Sequence, residues 1–281
     1  MKNEIFRRLS ALALGLALLL NAAPLPQAFA VEDDTDASSS DSADSTDTAD
    51  KTAVTTADSD PTVTAAAANA PALDATAALL VSPESDMVLY EKNADEKRYP
   101  ASTTKIMTAL LTLENVSDLS VVVTAEASDF ENVTSDSSNA GIKVGEQVTV
   151  KDLLYALMLP SANEAAYMLA RHVGGSWEQF VDMMNERAAE LGCTGTHFCN
   201  PCGLHEDDHY TTAHDLYLIA KEAMKDATFR DIVSTVQHRM AKTNLHEERI
   251  ILTTNQLIFS SFQPWSYANC LGIKTGHTSQ A

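Results

Sequence analysis

Basic residues are scarce in this chain, and acidic residues dominate its charge. The 281 residues contain 19 Lys and Arg against 39 Asp and Glu, which gives a formal net charge of −20 at pH 7. A surface of this sign repels phosphate backbones, and nucleic-acid binding needs basic residues to neutralise them. The sequence therefore argues against nucleic acid as a partner.

The apolar run near the N-terminus, Leu9–Leu20, is too short for a comfortable membrane span. A basic start that includes Lys2 and Arg8 precedes it, and the small residues of Ala28-Phe29-Ala30 follow. This order is typical of a secretory signal peptide. We expect residues 1–30 to be a cleaved signal peptide and the protein to be extracytoplasmic. An uncleaved N-terminal anchor is the alternative.

Cysteine is rare, and none lies near the expected cleavage site, which argues against a lipid-modified N-terminus. The four cysteines are Cys193, Cys199, Cys202 and Cys270. Export permits disulfides. His197 and His205 flank the Cys199-x-x-Cys202 pair, but a zinc site usually needs four ligands at a defined spacing. The residues favour a disulfide or small buried thiols, and we expect no metal and no cofactor.

Aromatic residues are missing between Phe29 and Tyr90. Residues 31–72 contain ten acidic residues against the single base Lys51, and Ser, Thr and Ala fill much of the rest. Such a composition cannot bury enough apolar surface to offset chain entropy, so it predicts an acidic disordered linker. Residues 73–281 then remain for one sizeable domain.

Within residues 73–281, helical patterns cluster between short β-like runs instead of alternating with them, which predicts an α+β fold. Apolar spacing and capping residues predict helices that begin at Ser102 and that occupy 149–159, 162–172, 176–191 and 211–224. Strands are predicted at 78–81 and 87–90 as a hairpin, and at 121–123, 250–252 and 272–276. The polar residues 129–139 are predicted to be a surface loop.

Ser102 and Lys105 form an S-x-x-K motif at the predicted start of a helix. A helix would place both side chains on one face, one turn apart. A serine is a poor nucleophile until a base takes its proton, and an unprotonated lysine can do so. The plain alternative is that Ser102 caps the helix and Lys105 is a solvated surface residue.

Two further motifs follow in order. Ser161-Ala162-Asn163 places a hydroxyl and an amide in a turn after Pro160, and Lys274-Thr275-Gly276 lies near the end of the sequence. Each motif also has a purely structural explanation. Ser161 and Asn163 could be turn-forming residues after Pro160, and Lys274-Thr275-Gly276 could be the end of a strand. S-x-x-K, S-x-N and K-T-G in this order, in an exported protein, are much more specific than any one of them.

This set is characteristic of penicillin-binding proteins and class A β-lactamases. Over roughly residues 77–281 the chain resembles the low-molecular-weight penicillin-binding proteins that are serine-type D-alanyl-D-alanine carboxypeptidases. The blocks at 143–146, 159–166, 196–204, 209–213 and 254–257 carry the same resemblance. It implies a β-lactamase/transpeptidase-like fold, with helices packed on an antiparallel sheet, across a catalytic domain at 73–281.

The resemblance also implies roles for the motif residues. Ser102 would attack the terminal D-Ala-D-Ala bond, Lys105 would accept its proton, and Ser161 would relay a proton to the leaving amine. The residues expected to bind substrate are Asn163, Lys274, Thr275, Gly276 and His277, the last through an oxyanion-hole N–H shared with that of Ser102. The expected partners are peptidoglycan stem peptides ending in D-Ala-D-Ala and, as covalent inhibitors, β-lactams.

Some features depart from the family pattern. Family members continue after Gly276 with further strands, so the last sheet strands are expected to be missing and the domain to be C-terminally incomplete. Membrane association would need an uncleaved N-terminus or a further C-terminal region. Cys199 and Cys202 also differ from the family block. An inactive peptidoglycan- or penicillin-binding remnant is therefore an alternative. A class A-like β-lactamase is less favoured, since no Glu-x-x-Leu-Asn follows Asn163.

Overall fold

The computed structural model describes residues 72–134, 137–259 and 266–280. The predicted signal peptide and all but the last residue of the predicted linker lie outside these ranges, so both stay predictions. Among the described residues, no helix combines the length and the apolar character needed to cross a bilayer.

The described residues mix helices and strands, which confirms the α+β class. The α-helices are α1 (Lys105–Asn115), α2 (Val150–Met158), α3 (Asn163–Gly174), α4 (Trp177–Glu190), α5 (Ala213–Ala223) and α6 (Ala227–Val233). The strands are β1 (Ala78–Ser82), β2 (Met87–Lys92), β3 (Val122–Thr124), β4 (Gln147–Thr149), β5 (Gln237–Met240) and β6 (Arg249–Leu252). The predicted helices are confirmed to within two or three residues, whereas β4, β5 and α6 were not predicted.

The strands pair antiparallel as β1–β2, β3–β4 and β5–β6, each pair forming its own two-stranded sheet. The predicted hairpin is thus confirmed as β1–β2, and its register shifts between Leu80 and Val81. The predicted strand at 272–276 is wrong, because these residues have no strand assignment and no described strand supplies the ladder hydrogen bonds a strand requires.

The core lies where α1, α2, α3 and α4 pack together. Leu154 of α2, Met168 of α3 and Phe180 of α4 are completely shielded from solvent. Each such side chain contributes about 1.5–3 kcal/mol through the apolar area it removes from water. Helices α2 and α3 are buried along most of their length, so the link between them is held inside the domain.

Side-chain caps fix where several helices begin. The hydroxyl of Thr149 accepts the backbone N–H of Asp152 at 3.1 Å, which confirms the predicted cap of α2. The start of α1 differs from the prediction, because Ala101–Thr104 forms a 3-10 turn and the α-helix begins at Lys105. Ser102 does not cap this helix, so its hydroxyl is available for other contacts.

The predicted surface loop at 129–139 is wrong at its start. Ala127–Phe130 forms a 3-10 turn, and Asp129 is buried with 2% exposure. Arg171 of α3 binds it through two bonds, from Nε to Oδ1 at 2.8 Å and from Nη2 to Oδ2 at 2.9 Å. A bidentate Arg–carboxylate pair explains how a charged residue is buried here.

Candidate active site

The 3-10 turn brings Ser102 and Lys105 together at the start of α1. Residues three apart in a helical turn share a face, and the amine Nζ of Lys105 lies 3.1 Å from the hydroxyl Oγ of Ser102. The backbone and hydroxyl of Thr103 both bond to the carbonyl of Pro100, which closes the turn. The hydroxyl and the amine are therefore within hydrogen-bonding distance.

Lys105 is completely buried, contrary to the plain reading of a solvated surface lysine. Besides Ser102, Nζ donates to Oδ1 of Asn163 at 2.7 Å and to the carbonyl of Cys202 at 2.6 Å. Burial lowers the pKa of Lys105 to about 8. A neutral amine donates two hydrogens, and both carbonyl oxygens can only accept them. Its lone pair is then left for the hydroxyl of Ser102.

The link between α2 and α3 supplies the second group of side chains. Ala162 N–H bonds to the carbonyl of Ala156 at 2.9 Å, which ties the link to α2. Ser161 has a left-handed φ of +66°, an unfavourable conformation for a residue other than glycine. Its hydroxyl is buried, and no described residue bonds to it. This leaves its hydrogen-bonding capacity free, next to the Asn163 that contacts Lys105.

The loop 198–204 delivers the Cys202 carbonyl to the amine. Oδ1 of Asn200 accepts the backbone N–H groups of Cys202 and Gly203, at 3.2 and 2.7 Å. Gly203 has φ of +85°, and a Cβ at this position would lie 1.8 Å from the carbonyl oxygen of Ala101. Only glycine lets the loop approach the serine turn this closely.

A buried histidine supports the same turn from the other side. The ring Nδ1 of His209 accepts the backbone N–H of Cys199 at 3.0 Å, so Nε2 carries the hydrogen and donates it to the hydroxyl of Thr104 at 2.8 Å. Burial lowers the pKa of His209 to about 4. The ring is therefore neutral at physiological pH and connects the 198–204 loop to the residue before α1.

The K-T-G segment lies against the serine turn without being a strand. A Cβ at Gly276 would come within 3.0 Å of the carbonyl oxygen of Pro100. The hydroxyls of Thr275 and Thr254 are 2.6 Å apart. Burial, with a further contribution from the charge of Lys105, lowers the pKa of Lys274 to about 7. The charge of Lys105 therefore disfavours the protonated form of Lys274.

Not every predicted contact is present. The amine of Lys274 donates to the carbonyl of Thr275 at 3.0 Å, and no bond joins it to Ser161. The side chain of His277 is exposed. Outside the site, Nε2 of His238 lies 2.7 Å from Oδ1 of Asp152, and its ring stacks on Tyr155.

All four cysteines are free thiols, so of the two alternatives that the sequence left open, a disulfide or small thiols, the structure shows the thiols. Burial raises the pKa of Cys193 to about 12 and that of Cys199 to about 11. Within the ranges that the structure covers, His, Cys, Asp and Glu residues do not gather in threes in a way that could hold a metal ion. The C-x-x-C pair therefore contributes small thiols and, through Cys202, a backbone carbonyl.

A serine hydroxyl beside a buried lysine amine is one of the recurring arrangements of serine acyl-transfer enzymes. Comparison with known proteins makes the class more specific. Residues 64–281 match the family described as D-alanyl-D-alanine carboxypeptidase. The chain belongs to this family.

Individual relatives carry the same description as the family. The D-alanyl-D-alanine carboxypeptidase DacF of Bacillus subtilis (strain 168) is 35% identical over 209 residues, which cover 74% of this chain and 52% of DacF. The D-alanyl-D-alanine carboxypeptidase of Streptomyces sp. (strain K15) is 37% identical over 207 residues, which cover 69% of this chain and 68% of that protein. The chain therefore spans about half of DacF and about two thirds of the Streptomyces protein.

Solved structures are similar over the same region. The crystal structure of the Streptomyces DD-transpeptidase has a TM-score of 0.68 at 35% identity, covering 75% of this chain and 83% of that one. A penicillin-binding protein homolog from Mycobacterium tuberculosis has a TM-score of 0.67 at 31% identity, covering 75% and 76%. These neighbours support the predicted penicillin-binding fold.

Proposed function

We propose that this chain is a serine D-Ala-D-Ala carboxypeptidase that removes the terminal D-alanine from peptidoglycan stem pentapeptides. The observation that carries the proposal is the buried amine of Lys105, which lies 3.1 Å from the hydroxyl of Ser102 and has a pKa lowered to about 8. A base with a pKa near the working pH transfers protons efficiently. An extracytoplasmic location, where peptidoglycan lies, fits this substrate.

In the proposed reaction, Ser102 gives its proton to Lys105 and its oxygen bonds to the carbonyl carbon of the penultimate D-alanine. The carbon–nitrogen bond then breaks, and the leaving D-alanine amine takes up a proton through Ser161. Water attacks the resulting ester and frees Ser102. Ser161 has a hydroxyl with no described partner and lies two residues before Asn163, which suits it for this relay.

The remaining motif residues would bind the substrate. Lys274 and Thr275 suit the free carboxylate of the terminal D-alanine, and Gly276 lets an extended peptide lie close to the serine turn. Asn163 holds Lys105 and could bond to the substrate amide. The backbone N–H groups of Ser102 and His277 would stabilise the oxyanion, a contribution typically worth ~10²–10³ in rate per donor.

A fluorescent penicillin tests the proposal directly. A β-lactam carries a carboxylate and an acyl bond in place of D-Ala-D-Ala, so it should label the wild-type chain covalently, and Ser102→Ala should remove the label. Ser234→Ala is a matched control, because Ser234 is an exposed serine outside the site. Persistent labelling of Ser102→Ala would contradict the proposal.

A second candidate is binding without turnover, and one observation favours it. Lys274–Gly276 is not held in a ladder by any described strand, so the substrate carboxylate site has less support than the serine and the lysine. D-alanine release from a pentapeptide distinguishes the two. Labelling with release supports the carboxypeptidase, and labelling alone supports a trapped acyl-enzyme that serves only in binding.

A further inference from the structure

The buried carboxylate of Glu164 is the strongest feature that the proposed reaction does not use. Glu164 follows Asn163 in the first turn of α3 and is 1% exposed. Glutamate is almost never buried this completely without a partner. Its surroundings therefore indicate what it does.

Glu164 binds a segment that crosses the start of α3. Its Oε1 accepts the backbone N–H of Ala140 at 2.7 Å and lies 3.5 Å from that of Ile142. The same segment accepts a bond from the helix, because the N–H of Asn163 donates to the carbonyl of Ser138 at 2.9 Å. The segment 138–142 and the start of α3 are thus joined by bonds in both directions.

This joint is one residue from the reacting groups. Asn163 donates its backbone N–H to the segment while its side chain accepts from the amine of Lys105 at 2.7 Å. A shift of the segment would therefore move the oxygen that orients the amine. Ser138 and Asn139 are exposed, and the end of the segment is held further by Arg249, whose Nη1 donates to the carbonyl of Gly141 at 3.1 Å, and by the buried side chain of Ile142.

We propose that Glu164 is a positioning residue that fastens the segment 138–142 across the start of α3 and so holds Asn163 against Lys105. The inference rests on the proposed function of the Ser102–Lys105 pair. It adds a residue outside the three motifs, which acts through Asn163 without touching the substrate.

The charge of Glu164 gives the inference a signature in the pH dependence. Two cations face the carboxylate, Arg249 of β6 and Lys105 of α1, and Arg249 is itself paired with Glu146. Burial raises the pKa of Glu164. Its negative charge in turn favours the protonated amine of Lys105 and raises the pKa of that group.

Two variants separate fastening from charge. Glu164→Ala removes the acceptor, and we expect acylation by fluorescent penicillin to slow between about tenfold and a hundredfold, because a misplacement of about 1 Å can have an effect of this size. Glu164→Gln keeps an oxygen for the N–H of Ala140 and should acylate within about threefold of wild type. Its pH midpoint should move to lower pH, since Lys105 loses a neighbouring negative charge.

Glu178→Gln is the matched control, because Glu178 is an exposed first-turn glutamate of α4. It should change neither the rate nor the midpoint. Amide hydrogen exchange at Ala140 and Ile142 provides a readout without activity, with faster exchange in Glu164→Ala and wild-type protection in Glu164→Gln.

The outcomes distinguish the two proposals. A wild-type chain that penicillin does not label contradicts the proposed function, and hydrogen exchange then still decides whether Glu164 fastens the segment. A labelled wild type with full-rate Glu164→Ala overturns the fastening role of Glu164, whereas an unshifted midpoint in Glu164→Gln contradicts only the effect of its charge on Lys105. If Glu164→Ala does not fold, amide exchange at Ala140 and Ile142 in Glu164→Gln decides, because faster exchange there would contradict the fastening.

Discussion

At the scale of single residues, the site depends on an amine that the protein has removed from water. Lys105 is fully buried among carbonyl oxygens and a hydroxyl. Desolvation disfavours the charged ammonium, and this lowers the pKa of Lys105 to about 8. An amine with this pKa can take up a proton near neutral pH, as the proposed reaction requires of Lys105.

Lys105 and Lys274 should give the maximal acylation rate and the affinity for penicillin different pH dependences. The maximal acylation rate should rise as pH increases through about 8, because Lys105 acts as a base only when neutral. Affinity for the anionic penicillin should fall as pH increases through about 7, because Lys274 then loses its charge. Stopped-flow acylation at several penicillin concentrations separates the rate from the affinity. A rate independent of pH would contradict the role of Lys105.

Removing the base should have a large effect on the rate. We expect Lys105→Met to lower the acylation rate ~10²–10⁴-fold, the range that a positioned general base contributes. Lys151→Met is the control, because Lys151 is an exposed lysine in the first turn of α2. This variant should leave the acylation rate unchanged. Similar rates for both variants would show that Lys105 is not the base.

Gly203 is expected to be irreplaceable for a reason that Gly192 does not share. Both have positive φ, but a Cβ at Gly203 meets the carbonyl of Ala101, whereas one at Gly192 meets nothing within 4 Å. Gly192→Ala should cost about 1–2 kcal/mol of unfolding free energy from backbone strain alone. Gly203→Ala should cost roughly 4 kcal/mol or more. Urea denaturation measures both, and equal losses would mean that the close approach is unimportant.

The sequence was more informative about side chains than about backbone groups, of which only the oxyanion-hole N–H groups of Ser102 and His277 were predicted, through the family resemblance. Ser102, Lys105, Ser161 and Asn163 were predicted because their residue types carry the chemistry. The Cys202 carbonyl was not, because any residue supplies a carbonyl and only the fold decides where it points. The two N–H groups that bind Glu164 were missed for the same reason. Their signal in the sequence is limited to an acidic residue directly after S-x-N.

At the scale of elements, helices were predicted more successfully than strands. Each predicted helix carries several apolar residues at helical spacing, and Thr149, Ser176 and Thr212 cap theirs as side-chain acceptors. The strands β4 and β5 have only three or four residues, too few for a reliable alternation pattern. Segment 272–276 shows the reverse problem, because a strand-like sequence forms a strand only beside a partner.

The fastening of α3 to the 3-10 turn 127–130 should be measurable. Arg171→Met leaves Asp129 buried without its bidentate partner, and we expect a loss of about 2 kcal/mol, somewhat less than for a fully buried pair because part of Arg171 contacts water. Arg239→Met breaks the exposed pair with Glu248 and should have little or no effect. Equal urea midpoints for the two variants would contradict this assignment.

At the scale of the whole molecule, a strongly acidic chain carries a locally cationic site. The net charge is −20, yet burial and the charge of Lys105 together lower the pKa of Lys274. The electrostatic potential in the buried site can differ from that at the surface, because water and salt screen charges only weakly inside the protein. The predicted acidic linker at 31–72 accounts for part of the total charge and stays a prediction.

The two buried thiols should be unreactive until the domain unfolds. Cys193 and Cys202 are buried, and burial raises the pKa of both, so few thiolates form at neutral pH. A coloured disulfide reagent should react slowly with these two thiols in the native chain and titrate four thiols after denaturation in guanidinium. Fewer than four in the denatured, unreduced chain would indicate a disulfide.

Two residues of the site, Ala101 and Ser161, have left-handed φ values of +47° and +66°, although neither is a glycine. Such conformations persist only where surrounding contacts enforce them. Gentle heating that loosens these contacts would let both residues return to ordinary backbone angles and separate the hydroxyl of Ser102 from the amine of Lys105. Penicillin labelling should then be lost at a temperature at which the helices are still intact.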